Sequence, residues 1–134
     1  MQRSDFQKLA VLRLREARFL LDSGFYDGAF YLAGYAIECA LKACIARKVR
    51  RYEFPPKDAR DLYSHDLIAL ASRAEVLDLL KNGSPEAVAN WTIVSKWHEQ
   101  ERYNSGGSEA RAMELITAIA DKRDGVLACL RKHW

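Results

Sequence analysis

The fold is decided by residues 29–46, which read AFYLAGYAIECALKACIA. Small and apolar residues occupy several sides of the helical wheel in this stretch, and no proline interrupts it. A helix that is apolar on several sides is packed by several neighbours rather than by one. The stretch therefore predicts the central helix of a bundle, which we expect to run from about Phe25 to Arg51.

Four further helices are predicted from capping and turn residues on either side of the central one. Each begins at a serine that can serve as its N-cap. The predicted helices run from Ser4 to Asp22, from Ser64 to Lys81, from Ser84 to the Asn104–Gly107 turn, and from Ser108 nearly to the C-terminus. No useful length of sequence alternates with period two. We therefore expect one all-α domain over residues 1–134, an antiparallel up-and-down bundle of about five helices.

Composition is that of an ordinary globular domain, because 49% of the 134 residues are apolar and 29% are charged. A net charge of +3 is too small to indicate nucleic-acid binding by itself. The longest apolar run, Ala29 to Ile37, is shorter than a membrane span, and the N-terminus lacks the pattern of a signal peptide. A cytoplasmic protein is expected.

The three cysteines, Cys39, Cys44 and Cys129, are odd in number. The first two are five residues apart within a predicted helix, a spacing that does not suit a tetrahedral zinc site. Buried, reduced thiols are therefore expected. The sequence predicts no metal site and no cofactor.

Polar residues interrupt the central helix along one stripe. Tyr31, Tyr35, Glu38 and Lys42 follow one another at spacings of four, three and four, which places them on one side of a helix. Three interpretations stay open. The stripe is a solvated face with a surface Glu38–Lys42 pair, a dimer interface through Tyr31 and Tyr35, or a surface that faces a ligand.

Arg13 lies in the middle of the apolar stripe of the first predicted helix. A buried guanidinium needs an acceptor, and Glu38 is the nearest acid expected to point inward from the neighbouring helix. The alternative is that the arginine extends along the apolar surface to reach solvent.

The fourth predicted helix carries His98 and Arg102 four residues apart, followed by Tyr103. A histidine and an arginine at this spacing can bind a phosphate together. In the alternative interpretation His98 lies at the edge of the core and Arg102 caps carbonyl groups at the end of the helix.

Arg60 and His65 lie five residues apart where a loop meets the third predicted helix. This pair suits metal-free cleavage of a phosphodiester, with His65 moving protons and Arg60 stabilising the developing negative charge. The alternative is that His65 and Asp66 are ordinary first-turn residues of that helix.

Taken together, these motifs resemble the HEPN family (higher eukaryote and prokaryote nucleotide-binding) over nearly the whole chain. The residues that carry the resemblance are Arg15-Glu16-Ala17 with Leu20-Leu21, Gly24 to Ala29, Gly34 to Ala43, His65-Asp66-Leu67 and Arg102-Tyr103. The resemblance implies a helical bundle that commonly dimerises. It also implies one of two roles. The first is a metal-independent ribonuclease, often a toxin or defence component, whose arginine and histidine meet across the dimer. The second is a non-catalytic module that binds nucleotides or partners and is often encoded beside a minimal nucleotidyltransferase.

The ribonuclease motif of the family sits on a helix late in the bundle, whereas Arg60 and His65 precede the third predicted helix. A binding module is therefore preferred, as a homodimer that engages a nucleotide, an RNA or a nucleotidyltransferase partner in a toxin-antitoxin or defence system. The residues predicted to bind are Glu38, Lys42, His65, Asp66, His98, Arg102 and Tyr103. A ribonuclease that uses Arg60 and His65 and a purely structural interaction module remain as alternatives.

Overall fold

In the computed structural model the chain is described over residues 1–49, 63–103 and 106–134, without the side chains of Arg102 and Tyr103. This part of the chain forms seven α-helices and contains no strand. The helices are α1 (Arg3–Asp22), α2 (Tyr26–Lys48), α3 (Leu67–Arg73), α4 (Leu77–Lys81), α5 (Pro85–Ser95), α6 (Glu109–Ala120) and α7 (Val126–Arg131), and a 3₁₀ helix, Glu99–Tyr103, precedes α6. The predicted all-α bundle is confirmed.

The central position predicted for α2 is also confirmed. Thirteen of its residues are buried, and it packs against α1, α3, α6, α7 and the 3₁₀ helix. It is the one described helix that is long and apolar enough to cross a membrane, and most of it is buried inside the protein. The predicted end of this helix at Arg51 lies outside the described residues.

The start of the first helix differs from the prediction. Gln2, not Ser4, is the N-cap of α1, and it forms a capping box with Asp5, whose carboxylate accepts a hydrogen bond from the Gln2 backbone at 2.8 Å. The predicted stop is confirmed. Gly24 adopts a φ of 85°, a left-handed conformation that costs glycine little, and the chain turns there into α2.

The third predicted helix is two helices, α3 and α4. The backbone N–H of Val76 donates to Ala71 and that of Glu75 donates to Ser72, which is the hydrogen-bond pattern of a Schellman motif. Glu75 takes the left-handed position of the motif with a φ of 60°, where a glycine would have marked the break in the sequence. The predicted cap is also wrong, because Asp66 rather than Ser64 caps α3.

The fourth predicted helix ends early. Ser84 caps α5 as predicted, accepting a hydrogen bond from the Ala87 backbone N–H at 3.1 Å, but α5 stops at Ser95. The Ser95 hydroxyl donates to the carbonyl of Thr92, a local bond that competes with helix continuation. Because a bend and the 3₁₀ helix follow, His98 does not continue the α-helical face of Trp91.

The last predicted helix is also divided, into α6 and α7. Ser108 caps α6 as predicted. The Asp121 carboxylate then accepts hydrogen bonds from the backbone N–H groups of Arg123 and Asp124 and closes a turn. At Gly125 a Cβ atom would lie 2.4 Å from the Asp121 carbonyl oxygen, so the turn requires glycine. A glycine after an aspartate-rich segment was the sequence feature that marked this break.

The predictions for Arg13 and for the cysteines have different outcomes. Arg13 pairs with Glu16 on its own helix rather than with Glu38, and its side chain is partly exposed. Cys39 and Cys44 are buried free thiols, as predicted, while Cys129 is only partly buried. Burial raises the pKa of Cys39 to about 11 and that of Cys44 to about 12.

Candidate ligand site around His65

A buried ion pair on α2 forms the base of the candidate site. Glu38 is 1% exposed and Lys42 is 7% exposed. The Lys42 ammonium lies 3.0 Å from Glu38 Oε2. The interpretation of these residues as a solvated surface pair is therefore wrong. The other carboxylate oxygen, Oε1, lies 2.9 Å from Nδ1 of His65, so Glu38 has a partner on each oxygen.

His65 connects the buried pair to the surface. Its Nε2 lies 3.2 Å from Oε2 of Glu99, and its side chain is 43% exposed. Each ring nitrogen of His65 therefore faces a carboxylate oxygen, Nδ1 that of Glu38 and Nε2 that of Glu99. The ring thus bridges α2 and the first residue of the 3₁₀ helix, while Asp66 fixes the backbone beside it by capping α3.

A cavity of about 620 Å³ opens beside His65. Two segments line it, residues 64–66 and residues 95–100. They present hydroxyl groups, an amide, an ammonium group, two imidazoles and an indole, together with the carboxylates of Asp66 and Glu99. Asp66 accepts from the backbone N–H groups of Ile68 and Ala69, and Glu99 faces His65, so both carboxylates already have partners. The cavity is thus rich in donors of hydrogen bonds.

The wall behind the cavity is aromatic. Trp97 is 3% exposed and lies flat against α2 at Gly34, where a Cβ atom would be 2.2 Å from the indole ring. Tyr31 stacks on Trp97 at 6.0 Å and on Tyr35 at 6.2 Å between ring centroids. Burial raises the pKa of Tyr35 to about 12, which keeps its hydroxyl protonated at neutral pH. The indole N–H of Trp97 has no hydrogen-bond acceptor among the described residues.

A second charged cluster lies next to this wall. Glu101 is 6% exposed, and its Oε1 lies 2.8 Å from Nη2 of Arg111 and 3.8 Å from Nε2 of His98. The Arg111 guanidinium also covers the Phe30 ring at 3.8 Å. This cluster ties the 3₁₀ helix to α6 and α2, and it draws His98 to one edge of the cavity.

The structure brings three of the predicted binding residues, Glu38, Lys42 and His65, into direct contact. Asp66 is adjacent but is engaged in capping, and His98 lies across the cavity with Glu101. The backbone of Arg102 and Tyr103 belongs to the 3₁₀ helix, and Arg60 lies outside the described residues.

Sequence reasoning missed the contributions of Lys96, Trp97 and Glu99. Gly34, in the middle of a helix otherwise free of breakers, was the one feature that could have indicated a close approach of a large side chain. Within the described ranges, no group of three His, Cys, Asp or Glu side chains has the arrangement of a metal site.

The structure is thus an all-α bundle with a polar cavity beside His65. The family model of the HEPN domain matches residues 5–124 of this chain. The chain therefore belongs to the HEPN family, and the resemblance of its motifs to that family is confirmed. Membership makes it a nucleotide- or RNA-related module in general. Comparison with curated proteins and with solved structures gives no significant match.

Proposed function

We propose that this HEPN domain binds a nucleotide, free or as part of an RNA strand, in the cavity beside His65. The observation that carries the proposal is a polar cavity of about 620 Å³ whose histidine is held by carboxylates at both ring nitrogens. Ligand pockets commonly measure roughly 300–1,000 Å³, so a mononucleotide fits this volume.

The chemistry of the lining suits such a ligand. Lys96 supplies a positive charge, and Lys96 and His98 both supply N–H donors to a phosphate group. Ser64, Ser95 and Gln100 supply hydroxyl and amide groups that can pair with a ribose or with the edge of a base. The two carboxylates of the lining are engaged by His65 and by the start of α3, so they repel the phosphate less than free carboxylates would.

Glu38 and Lys42 take a different part in this proposal from direct binding. They are too buried to contact a ligand in the cavity. Glu38 instead fixes the orientation of the His65 ring, and Lys42 balances the charge of Glu38. We therefore assign both as positioning residues and His65 as the group that meets the ligand.

Isothermal titration calorimetry with AMP, ATP and a short single-stranded RNA tests the proposal. In this proposal the ligand takes the place of Glu99 at Nε2 of His65. Lys96→Ala and His65→Ala should then each raise the dissociation constant at least about fivefold, because each removes a donor to the ligand, and hydrogen bonds to charged groups contribute about 1.5–3 kcal/mol. Lys81→Ala is the matched control, since Lys81 is exposed on α4 and does not line the cavity. No binding at millimolar ligand, or variants that bind as the wild type does, would refute the proposal.

A ribonuclease is the second candidate, and one contact favours it. Glu38 Oε1 faces Nδ1 of His65 at 2.9 Å, as an orienting carboxylate faces a catalytic histidine. In this alternative Nε2 exchanges Glu99 for the substrate and transfers the proton, and Arg60 stabilises the phosphorane charge. The same cavity would then hold the scissile nucleotide.

The assembly and cellular context are proposals supported by the family resemblance alone. We propose a cytoplasmic homodimer in which the exposed edges of Tyr31 and Tyr35 meet a second copy. We further propose a nucleotidyltransferase partner within a toxin-antitoxin or defence system. Light scattering that gives a monomer mass at high micromolar concentration would remove the dimer, and co-purification with an adjacently encoded nucleotidyltransferase would support the partner.

A further inference from the structure

A second surface, separate from the His65 cavity, runs along the outer side of α1. It consists of two adjoining cavities of about 580 and 400 Å³, and both are lined by Val11 and Arg15. The larger lies between α1, the end of α6 and α7, and the smaller lies between α1 and Trp134. We call this continuous surface the α1 groove.

The rim of the α1 groove is strongly basic. Its cations are Lys8, Arg15, Arg18, Lys122, Arg131 and Lys132. None of the six forms an ion pair with a carboxylate in the described part of the chain. The one acidic side chain in the lining, Asp121, accepts hydrogen bonds from two backbone N–H groups of its own turn, which lowers its pKa, and a single carboxylate cannot balance six cations. The positive charge of the rim therefore favours a negatively charged ligand.

The floor of the groove is aliphatic. Val11 is 38% exposed and Leu12 is 43% exposed, and the buried side chains of Leu14, Ile119 and Leu127 pack beneath the larger cavity. Aliphatic surface at the bottom of a groove is stabilised by covering it with apolar side chains. A phosphodiester backbone would leave this surface uncovered.

The aromatic content of the groove also favours a peptide over RNA. Single-stranded nucleic acids stack their bases on open aromatic faces. Trp134 is the one aromatic residue among the described residues that line the groove, and the Arg131 guanidinium covers its ring at 5.4 Å. A second copy of this chain bound symmetrically through the groove would bring the two basic rims together, which is repulsive.

We propose that the α1 groove binds an acidic, amphipathic helix of a partner protein, with its aliphatic side chains on the floor and its carboxylates on the basic rim. The stretch of α1 from Lys8 to Arg18 is about 15 Å long at 1.5 Å per residue, which matches about three turns of a partner helix. This inference does not depend on the nucleotide site, because the two surfaces share no lining residue.

Fluorescence anisotropy with three labelled probes tests the proposal. The first is a 14-residue helical peptide with Leu on one face and Glu on the other, the second replaces each Glu by Lys, and the third is a 15-nucleotide poly-U RNA. The Glu peptide should bind and the Lys peptide should not. Binding should weaken at least tenfold between 50 mM and 500 mM salt, since screening lengths fall well below the size of the groove.

Two variants assign the binding to the groove. Arg18→Glu combined with Lys122→Glu should raise the dissociation constant for the Glu peptide at least tenfold, and Val11→Asp should do so through the floor. The matched control Lys81→Glu should leave it unchanged. Tighter binding of the RNA than of the Glu peptide, equal binding of both peptides, or insensitivity to the groove variants would overturn the proposal. Circular dichroism of each variant confirms that the helices are retained.

Discussion

Replacement of Glu38 by methionine should destabilise the protein far more than loss of a surface ion pair does. Glu38 and Lys42 are 1% and 7% exposed, and their charged atoms are 3.0 Å apart. Glu38→Met removes the carboxylate and keeps a side chain of similar length, so the main effect is on the charge. The Lys42 ammonium then remains buried without its counter-ion, and His65 loses the partner of its Nδ1.

The magnitude follows from the geometry. Two unit charges 3.0 Å apart attract by about 5 kcal/mol at an effective dielectric constant of 20. Removal of one partner from a buried pair typically costs about 3–5 kcal/mol, because the desolvation penalty of the remaining charge is no longer offset. We expect Glu38→Met to lower the free energy of unfolding by an amount in this range. A domain with a total stability of about 5–15 kcal/mol would lose a large part of it.

Urea denaturation at pH 7, followed by circular dichroism, measures this change. The double variant Glu38→Met/Lys42→Met removes both charges and should recover most of the loss, because a well-packed apolar pair can replace a buried ion pair at little cost. Lys48→Met is the matched control. It breaks the exposed pair of Lys48 with Glu75, which solvent screens, and should cost much less than Glu38→Met does. A loss below 1 kcal/mol for Glu38→Met, or a double variant no more stable than the single one, would refute the reasoning.

Three further predictions address the wall, the core and the chemistry of the site. Gly34→Ala should lower the free energy of unfolding, measured in urea, by about 1–3 kcal/mol, because the new Cβ would lie 2.2 Å from the indole ring of Trp97. Gly28→Ala is the control. Its Cβ meets only a flexible methyl group of Leu20 at 3.3 Å, so this change should be neutral or stabilising. Burial raises the pKa of Cys44 to about 12 from an unfolded value near 9, so its contribution to stability is complete below pH 9 and is lost as the pH rises toward 12. That loss amounts to at most about 1.4 kcal/mol per pH unit, and Cys44→Ala should flatten the slope of stability against pH in this window. Purified protein should not cleave RNA in EDTA above background; metal-independent cleavage that falls about a hundredfold in both His65→Ala and Arg60→Ala would instead make the protein a ribonuclease.

The helical class and the central helix could be predicted because they depend on local patterns. Residues 29–46 are apolar on several sides, and this property of a single segment identifies the most buried helix. Serine caps at Ser84 and Ser108 were also readable, because capping uses only the neighbouring backbone.

The points at which the longer predicted helices divide were harder to predict, because the sequence signals at these breaks are less common ones. A Schellman motif usually places glycine in the left-handed position, and here Glu75 occupies it. The break after α6 did have a glycine, Gly125, but periodic apolar residues on both sides of it favoured one continuous helix. In each case the helical spacing of apolar residues continues on both sides of the break, so this pattern alone could not locate the end of the helix.

The burial of Glu38 and Lys42 could not be predicted from the sequence of α2 alone. Glu38 and Lys42 have the spacing of an exposed i,i+4 pair, and nothing on α2 distinguishes that pair from a buried one. Residues from elsewhere in the chain pack on this helix, because His65, which precedes α3, contacts Glu38, and Trp97 lies against Gly34. The resemblance to the HEPN family did group Glu38, Lys42 and His65, since it compares the whole chain rather than one segment. Burial of Glu38 is also what gives the two candidate functions a common basis. A carboxylate fixed beneath His65 orients the ring equally well for holding a phosphate or for moving a proton. The two candidate functions therefore differ in what Nε2, which faces Glu99 in this structure, does with the ligand: it donates a hydrogen bond in binding and transfers a proton in catalysis.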